Sequence, residues 1–239
     1  MNSYFQFKQF KIEQEKSSMK VCTDSCLFGA WIAEKISKKY ISPKNMLDIG
    51  TGTGVLSLML AQQINVAIDA VEIDKNAFEQ ATVNFAASPW HQQLQAIHMD
   101  VTKMNKRHAY DLIICNPPFF ENDLRSDNHE KNLAKHHEGL TLNDLTKSVN
   151  DLLSPDGYFA VLLPFHRSEY FKSMANAQQL FLYEELLIRQ TERHSFFRSV
   201  LLFGRNKKEI LTETMSIKDD QQNYTPRFIT LLKDYYLYL

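Results

Sequence analysis

The run Leu47-Asp48-Ile49-Gly50-Thr51-Gly52-Thr53-Gly54-Val55-Leu56 constrains the fold more than any other segment of this chain. An apolar strand enters three alternating glycines and leaves as a helical pattern. The backbone can therefore turn sharply and let a ligand approach where a side chain would collide. A dinucleotide fingerprint would need Gly at position 55, where Val55 stands, and the Lys and Ser/Thr of a phosphate-cradling loop are missing. The segment points to a nucleotide-type cofactor other than a dinucleotide or a triphosphate.

From Asn45 onwards strand and helix patterns alternate. The apolar runs are Met46 to Ile49, Ala67 to Ile73, Leu94 to Met99, Leu112 to Cys115 and Tyr158 to Leu163. Helical periodicity fills the gaps at Val55 to Ile64, Lys75 to Ala86, Leu142 to Leu153 and Ser168 to Leu180. That order predicts an α/β fold with a mostly parallel sheet covered by helices on both faces. Leu182 to Ile188 and Phe197 to Phe203 add an antiparallel hairpin at the sheet edge, for seven strands in all. Thr225 before Pro226 starts a final helix. In the first segment, Phe5, Phe7, Phe10 and Ile12 read as one strand, followed by a turn through Glu15 to Ser18 and a second short strand at Met19 to Val21. Thr23 or Asp24 can cap the helix that follows.

The strand ends carry acids. Glu72 closes the second run of the sheet, where a carboxylate can accept both hydrogen bonds of a ribose diol. Asp74 is better placed to cap the helix from Lys75. Asp100, after the third run, can accept from an adenine amino group. Gly or acid at three successive strand ends outlines a site for an adenosine without phosphates.

After the fourth run comes Asn116-Pro117-Pro118-Phe119. Two prolines fix the backbone and remove two N–H donors, which holds nearby carbonyls in place as acceptors. Asn116 adds a side-chain carbonyl and Phe119 a flat apolar face. A planar amine on an aromatic or amide substrate needs this set: acceptors for its N–H bonds and a ring to stack against. Its delocalised lone pair makes it a poor nucleophile, so catalysis would rest on positioning and on electrostatic stabilisation of the developing positive nitrogen.

The glycine loop, Glu72 and Asn116 to Phe119 resemble the class I methyltransferases that use S-adenosylmethionine and modify exocyclic or amide nitrogens. Phe7-Lys8-Gln9-Phe10, Met19-Lys20-Val21, Thr23-Asp24-Ser25 and Gly29-Ala30-Trp31 are further similar to the bacterial tRNA1(Val) adenine-37 N6-methyltransferases. One departure is Cys22, where that family usually has Gly. The resemblance covers nearly the whole chain and implies a Rossmann-like fold. It implies a small hairpin and helix extension at residues 1–44 packed on a methyltransferase domain at 45–239, in a single folding unit. It also implies Thr23, Asp48, Gly50, Thr51, Gly52, Gly54, Glu72, Ile73, Asp100 and Val101 around S-adenosylmethionine, and Asn116, Pro117, Pro118 and Phe119 on the target base. The expected substrate is the adenosine beside the anticodon. A release-factor glutamine methyltransferase is the nearest rival, but that group has Tyr at the position of Phe119 and a larger amino-terminal domain. A non-catalytic S-adenosylmethionine- or RNA-binding module is the alternative outside enzymes.

A net charge of −1 excludes a uniformly basic RNA coat. Sorted by position, an acidic stretch around the glycine loop is flanked by basic segments. Arg189, Arg193, His194, Arg198 and Arg205 interleave with Phe196 and Phe197, a combination that can bind phosphates and stack unpaired bases. The long loop from Glu121 to Gly139 carries Lys135 and His136, which the resemblance sets beside the substrate. Its histidines follow no metal-ligand spacing, so no metal is expected. Three cysteines fit a reducing compartment, and no apolar run approaches the roughly 18 residues of a membrane span. A cytoplasmic enzyme without membrane attachment or an obligate protein partner is the expectation.

Overall fold

The structure, a computed structural model, describes residues 2–17, 19–118 and 140–239. In chain order the first half contains β1 (Tyr4–Gln6), β2 (Lys11–Glu13), α1 (Thr23–Ser37), β3 (Asn45–Ile49), α2 (Val55–Ala61), β4 (Ala67–Glu72), α3 (Lys75–Ala86), β5 (Leu94–His98) and β6 (Tyr110–Cys115). The second half contains α4 (Leu142–Leu152), β7 (Leu153–Pro164), α5 (Ser168–Ala177), β8 (Phe181–Arg189), β9 (Phe196–Gly204), β10 (Leu211–Ser216) and α6 (Pro226–Leu232).

Strands β3 to β10 form one sheet in the order β10-β8-β9-β7-β6-β3-β4-β5. Strand β9 runs antiparallel to β7 and β8, and the other pairings are parallel. Side chains alternate between two cores. Met46, Ile68, Leu112, Ile114 and Leu162 face one with α1, α2 and α6, while Leu47, Ile49, Val71, Ile113 and Val161 face the other with α4 and α5. Burial on both faces explains why these strands are continuous apolar runs. The glycine loop needs its stop signals for the same reason: with both faces covered, a ligand can reach the sheet only at its ends.

The expected sheet is present with two differences. It has eight strands, because Leu211–Ser216 adds β10 beside β8, and the β8–β9 hairpin therefore lies inside the edge. The amino-terminal hairpin is also tighter than expected. Strand β1 pairs antiparallel with β2, and the turn runs through Phe7 to Phe10, whose rings stack 4.4 Å apart. Residues 19–21 are irregular rather than a strand. Helix α1 begins at Thr23 with Cys22 at the N-cap, where the Cys22 N–H donates to Ser25 Oγ at 3.4 Å, so neither Thr23 nor Asp24 is the cap.

Long-range polar contacts fix α1 against the body. The Arg227 guanidinium donates twice to Glu34, at 2.8 and 2.7 Å, and again to Glu213 at 2.6 Å, tying α1, α6 and β10 together. That guanidinium holds the Glu34 carboxyl down to about 2. Trp31, fully buried, donates from Nε1 to Glu213 at 3.0 Å.

Candidate functional site

The carboxyl ends of the parallel strands share one rim, where ligands of such sheets bind. Gly50, Gly52 and Gly54 adopt φ of 68°, 57° and 84°, the left-handed region that only glycine occupies without strain. A Cβ on Gly50 would meet nothing within 4 Å, whereas one on Gly54 would lie 2.4 Å from Phe85. Gly50 leaves room for a ligand, and Gly54 lets the loop close onto α3. Four of the loop N–H groups are spent inside the protein. Gly50 and Thr51 donate to the Val71 carbonyl at 2.8 and 3.2 Å, Gly52 to Glu72 Oε2 at 2.9 Å and Gly54 to the Thr51 carbonyl at 2.8 Å. A loop with its donors so committed is not a phosphate cradle, in agreement with the phosphate-free cofactor expected from the sequence.

Asp48 lies beneath this loop, fully buried. Its Oδ2 accepts from Thr51 Oγ1 and Ser57 Oγ, both at 2.7 Å, and its Oδ1 has no partner among the described residues. Burial, with a smaller contribution from nearby Glu72, pushes the Asp48 carboxyl up to about 6. Glu72 ends β4 with both oxygens oriented by backbone, Oε2 by Gly52 and Oε1 by the Asp74 N–H at 2.9 Å. Asp74 caps α3, its carboxylate accepting from the Ala77 N–H at 2.8 Å. The adjacent Ile73 is 63% exposed, an apolar face on the rim, while Val101 is buried. Asp100 Oδ1 is turned back on its own loop, accepting from the Thr102 N–H at 2.9 Å and Thr102 Oγ1 at 2.7 Å. Its other oxygen lies 3.9 Å from Lys103 Nζ.

Asn116 follows β6 on the same rim. Its Nδ2 faces Met19 Sδ at 3.9 Å, and its Oδ1 is buried without a partner among the described residues. Pro117 is buried and Pro118 exposed; Phe119, Lys135 and His136 lie outside the described residues. Burial pushes the thiol of neighbouring Cys115 well above its ordinary value, so it offers no thiolate nucleophile.

Sequence reasoning missed what stands between the glycine loop and Asn116. Ser17 Oγ lies 4.0 Å from where a Gly52 Cβ would be and donates to the Met19 carbonyl at 3.0 Å. Met19 itself is 38% exposed. This segment is held by side chains of α3 and by Gln14: Gln80 Oε1 accepts the Lys16 N–H at 3.1 Å, and Gln14 Oε1 accepts the Val21 N–H at 2.9 Å. Its local contacts with Gln14 and Ser17 do not signal that position, because the contacts that set it against the rim, with Gln80 and Asn116, are with residues distant in sequence.

The outlying candidates separate from the glycine loop. Arg198 donates from Nε to Asp24 Oδ2 at 2.7 Å, joining β9 to α1, and Arg193 pairs with Asp220 at 2.8 Å on the surface. Thr23 lines a cavity with Phe197 and Tyr224, on the β8–β10 side of the rim. Among the described residues no group of three or more His, Cys, Asp and Glu side chains could hold a metal ion.

A family model described as the Methyltransferase small domain matches residues 29–151. The chain is 38% identical to the tRNA1(Val) (adenine(37)-N6)-methyltransferase of Flavobacterium psychrophilum, covering 98% of this chain and 99% of that protein. It is 39% identical to the protein of the same name in Cytophaga hutchinsonii, over 100% of this chain and 99% of that one. Among solved structures, the predicted O-methyltransferase Atu636 of Agrobacterium tumefaciens superposes with a TM-score of 0.68 at 12% identity, covering 88% of this chain and 96% of that one. TYW2 of Pyrococcus horikoshii, solved in complex with MeSAdo, gives 0.60 at 14% identity, covering 85% and 71%. These two likenesses show the fold.

Proposed function

The chain belongs to the tRNA1(Val) (adenine(37)-N6)-methyltransferase family, and from that premise we propose that it transfers the methyl group of S-adenosylmethionine to N6 of adenosine 37, beside the anticodon of tRNA1(Val). The observation that carries this reading is Asn116 Oδ1, a buried acceptor at the end of β6 without a partner among the described residues. Such an atom is costly unless something donates to it, and the amine of a target base does so.

The residues fit the cofactor on the same grounds. Asp48 Oδ1 is a second buried acceptor that asks for a donor, which a ligand ammonium supplies, and Gly50 leaves its Cβ space open. Glu72 would hold the ribose hydroxyls through the lone pairs its two backbone donors leave free. Ile73 and Val101 would flank the adenine, with Asp100 at its amino group. Thr51, Gly52 and Gly54 shape the loop rather than touch a charge. Thr23 is further along the rim and is proposed to contact substrate more readily than cofactor.

When bound, S-adenosylmethionine supplies an electrophilic methyl on a sulfonium. The chain's own residues do the rest. Asn116 Oδ1 and the Pro117 carbonyl accept the two N6–H bonds, which favours pyramidal nitrogen and aims its lone pair. Pro117 and Pro118 keep those acceptors still, so no reorganisation is needed as positive charge develops. Phe119 would stack on the base. The alkylated nitrogen is acidic, and its proton passes to water without a dedicated base. Adenosine 37 lies in a loop, where extruding a base costs less than from a duplex.

Lys135, His136, Arg193 and Arg198 are proposed RNA contacts of the anticodon loop, with Arg198 also anchoring Asp24. Residues 1–44 are proposed as an extension of a methyltransferase domain at 45–239. Among the described residues no helix is long and apolar enough to cross a membrane; the site of action is proposed to be the cytoplasm, where tRNA substrates are found. Mass spectrometry of nucleosides from valine tRNA of a strain lacking this protein tests the reading: N6-methyladenosine disappears and returns on complementation.

A further inference from the structure

The rim continues past Asn116 to a cavity that methyl transfer itself does not use. Pairing register places these residues at one end of the sheet: Cys115 opposes Val161, and three residues further along β7 Pro164 opposes Arg198, Arg198 opposes Ile188, and Arg189 opposes Ser216. Asn116, Phe197, Gln190 and Lys218, each a residue or two from those positions, therefore stand at the same end of the sheet. There a cavity of about 280 Å³ opens, lined by Thr23, Asp24, Gln190, Phe197, Lys218 and Tyr224. Strand β9 is two strands from β6, roughly 10 Å across the sheet, and Phe197 lies about three residues, roughly another 10 Å, further along the strand direction than Asn116.

The lining has the chemistry of a nucleobase site. Tyr224 is 37% exposed yet held flat by stacking on Phe228, with centroids 4.4 Å apart and planes at 11°. Phe197 presents a second ring, with the Arg198 guanidinium 5.4 Å from its centroid. Lys218 Nζ lies over the Tyr224 ring, 5.6 Å from its centroid, and a stacking base would displace this flexible ammonium towards its own phosphate. Gln190 and Thr23 each carry both donor and acceptor, as a base edge requires. The one carboxylate, Asp24, is already paired with Arg198 at 2.7 Å, so it does not repel a polyanion as a bare charge would. The volume is below the roughly 300–1,000 Å³ of pockets that enclose drug-sized ligands, which suits one flat base and not a whole cofactor.

We propose that this cavity receives an unpaired nucleobase of the substrate tRNA other than the one methylated, and so sets which adenosine reaches Asn116. The proposal rests on the function stated above. Aromatic stacking gives affinity that tolerates any base, and the Gln190 and Thr23 edge groups supply preference.

The test uses the full chain and anticodon stem-loops of tRNA1(Val), each with 2-aminopurine replacing one loop nucleotide other than position 37. Stacking quenches this base, so wild-type protein quenches it at one loop position and Tyr224→Ala does not. In methylation assays Tyr224→Ala raises the KM for tRNA about tenfold, the loss of one base stack, with cofactor Kd unchanged. Tyr224→Phe keeps the wild-type KM, and Tyr170→Ala, on the exposed face of α5, does so too. Gln190→Ala, on an exposed side chain, provides a second variant that raises KM should Tyr224→Ala fail to fold. Wild-type methylation without quenching at any position, or with an unchanged KM in folded Tyr224→Ala or Gln190→Ala, overturns the pocket while the methyltransferase reading stands. Failure of the wild-type chain to methylate tRNA overturns that reading, and the pocket with it.

Discussion

The Gly52 N–H donates to Glu72 Oε2 at 2.9 Å, while Glu72 Oε1 accepts from the Asp74 N–H at the same distance. One carboxylate thus ties the glycine loop to the start of α3 and faces the proposed ribose position. A glutamine there offers one acceptor oxygen, so Glu72→Gln must abandon either Gly52 or Asp74. We expect it to cost about 1 kcal/mol of stability and to raise the cofactor Kd more than about tenfold. Thermal melts and calorimetric titration with S-adenosylmethionine read the two effects separately.

Two glycines of the loop predict opposite outcomes. Gly54→Ala places a Cβ 2.4 Å from the buried Phe85 ring and strains a φ of 84°, so it should destabilise the fold by roughly 2–4 kcal/mol. Gly50→Ala carries only the φ strain, about 1–2 kcal/mol, because its Cβ meets open space. That space belongs to the proposed cofactor site, so Gly50→Ala should lose more cofactor affinity than stability. Equal melting temperatures for the two variants would refute the assignment.

How far the sequence alone reaches is clear from these residues. The three glycines, the two-faced apolar strands and the Asp74 cap are local signals, and each appears in the structure where its pattern predicts. Strand β10 escaped because only Met215 of its six residues is buried, so an edge strand of alternating Thr and Glu shows no apolar period. The first hairpin escaped because its turn is built from two stacked phenylalanines rather than Gly, Pro or Asn. Asp24 with Arg198, and Met19 with Asn116, are pairs made by the fold across long stretches of chain, and no local window contains them. Cys22 at the N-cap is recognisable only from the fold, because its own N–H is accepted by Ser25 Oγ at the third helical position and Cys is not a residue type that signals a cap.

Asp48 gives a pH dependence whose sign differs between stability and binding. Its carboxyl is raised to about 6 by burial, above its ordinary value of 3.8. Between those values the folded state holds a proton that the unfolded state releases, so this group's contribution to stability falls as pH rises through the window, by at most about 1.4 kcal/mol per unit. A ligand ammonium needs the ionised form, so cofactor affinity should instead fall as pH drops below about 6. Asp48→Asn keeps an acceptor for Thr51 and Ser57 and should flatten both profiles. Titration calorimetry between about pH 5 and pH 8 checks this.

Asn116 is assigned to the reacting amine and to nothing in the cofactor. Asn116→Ala should lower kcat about 100- to 1,000-fold, the scale for losing one preorganised polar group at a developing charge. The Kd for S-adenosylmethionine should change by no more than about twofold. Parallel loss of both would show that Asn116 shapes the cofactor site instead.

The most direct measurement is transfer of labelled methyl from S-adenosylmethionine by the purified chain to an unmodified tRNA1(Val) transcript, beside one carrying guanosine at position 37. The account predicts N6-methyladenosine in the first transcript and no label in the second. Label retained in the guanosine transcript, or found only on a release-factor glutamine, would contradict it.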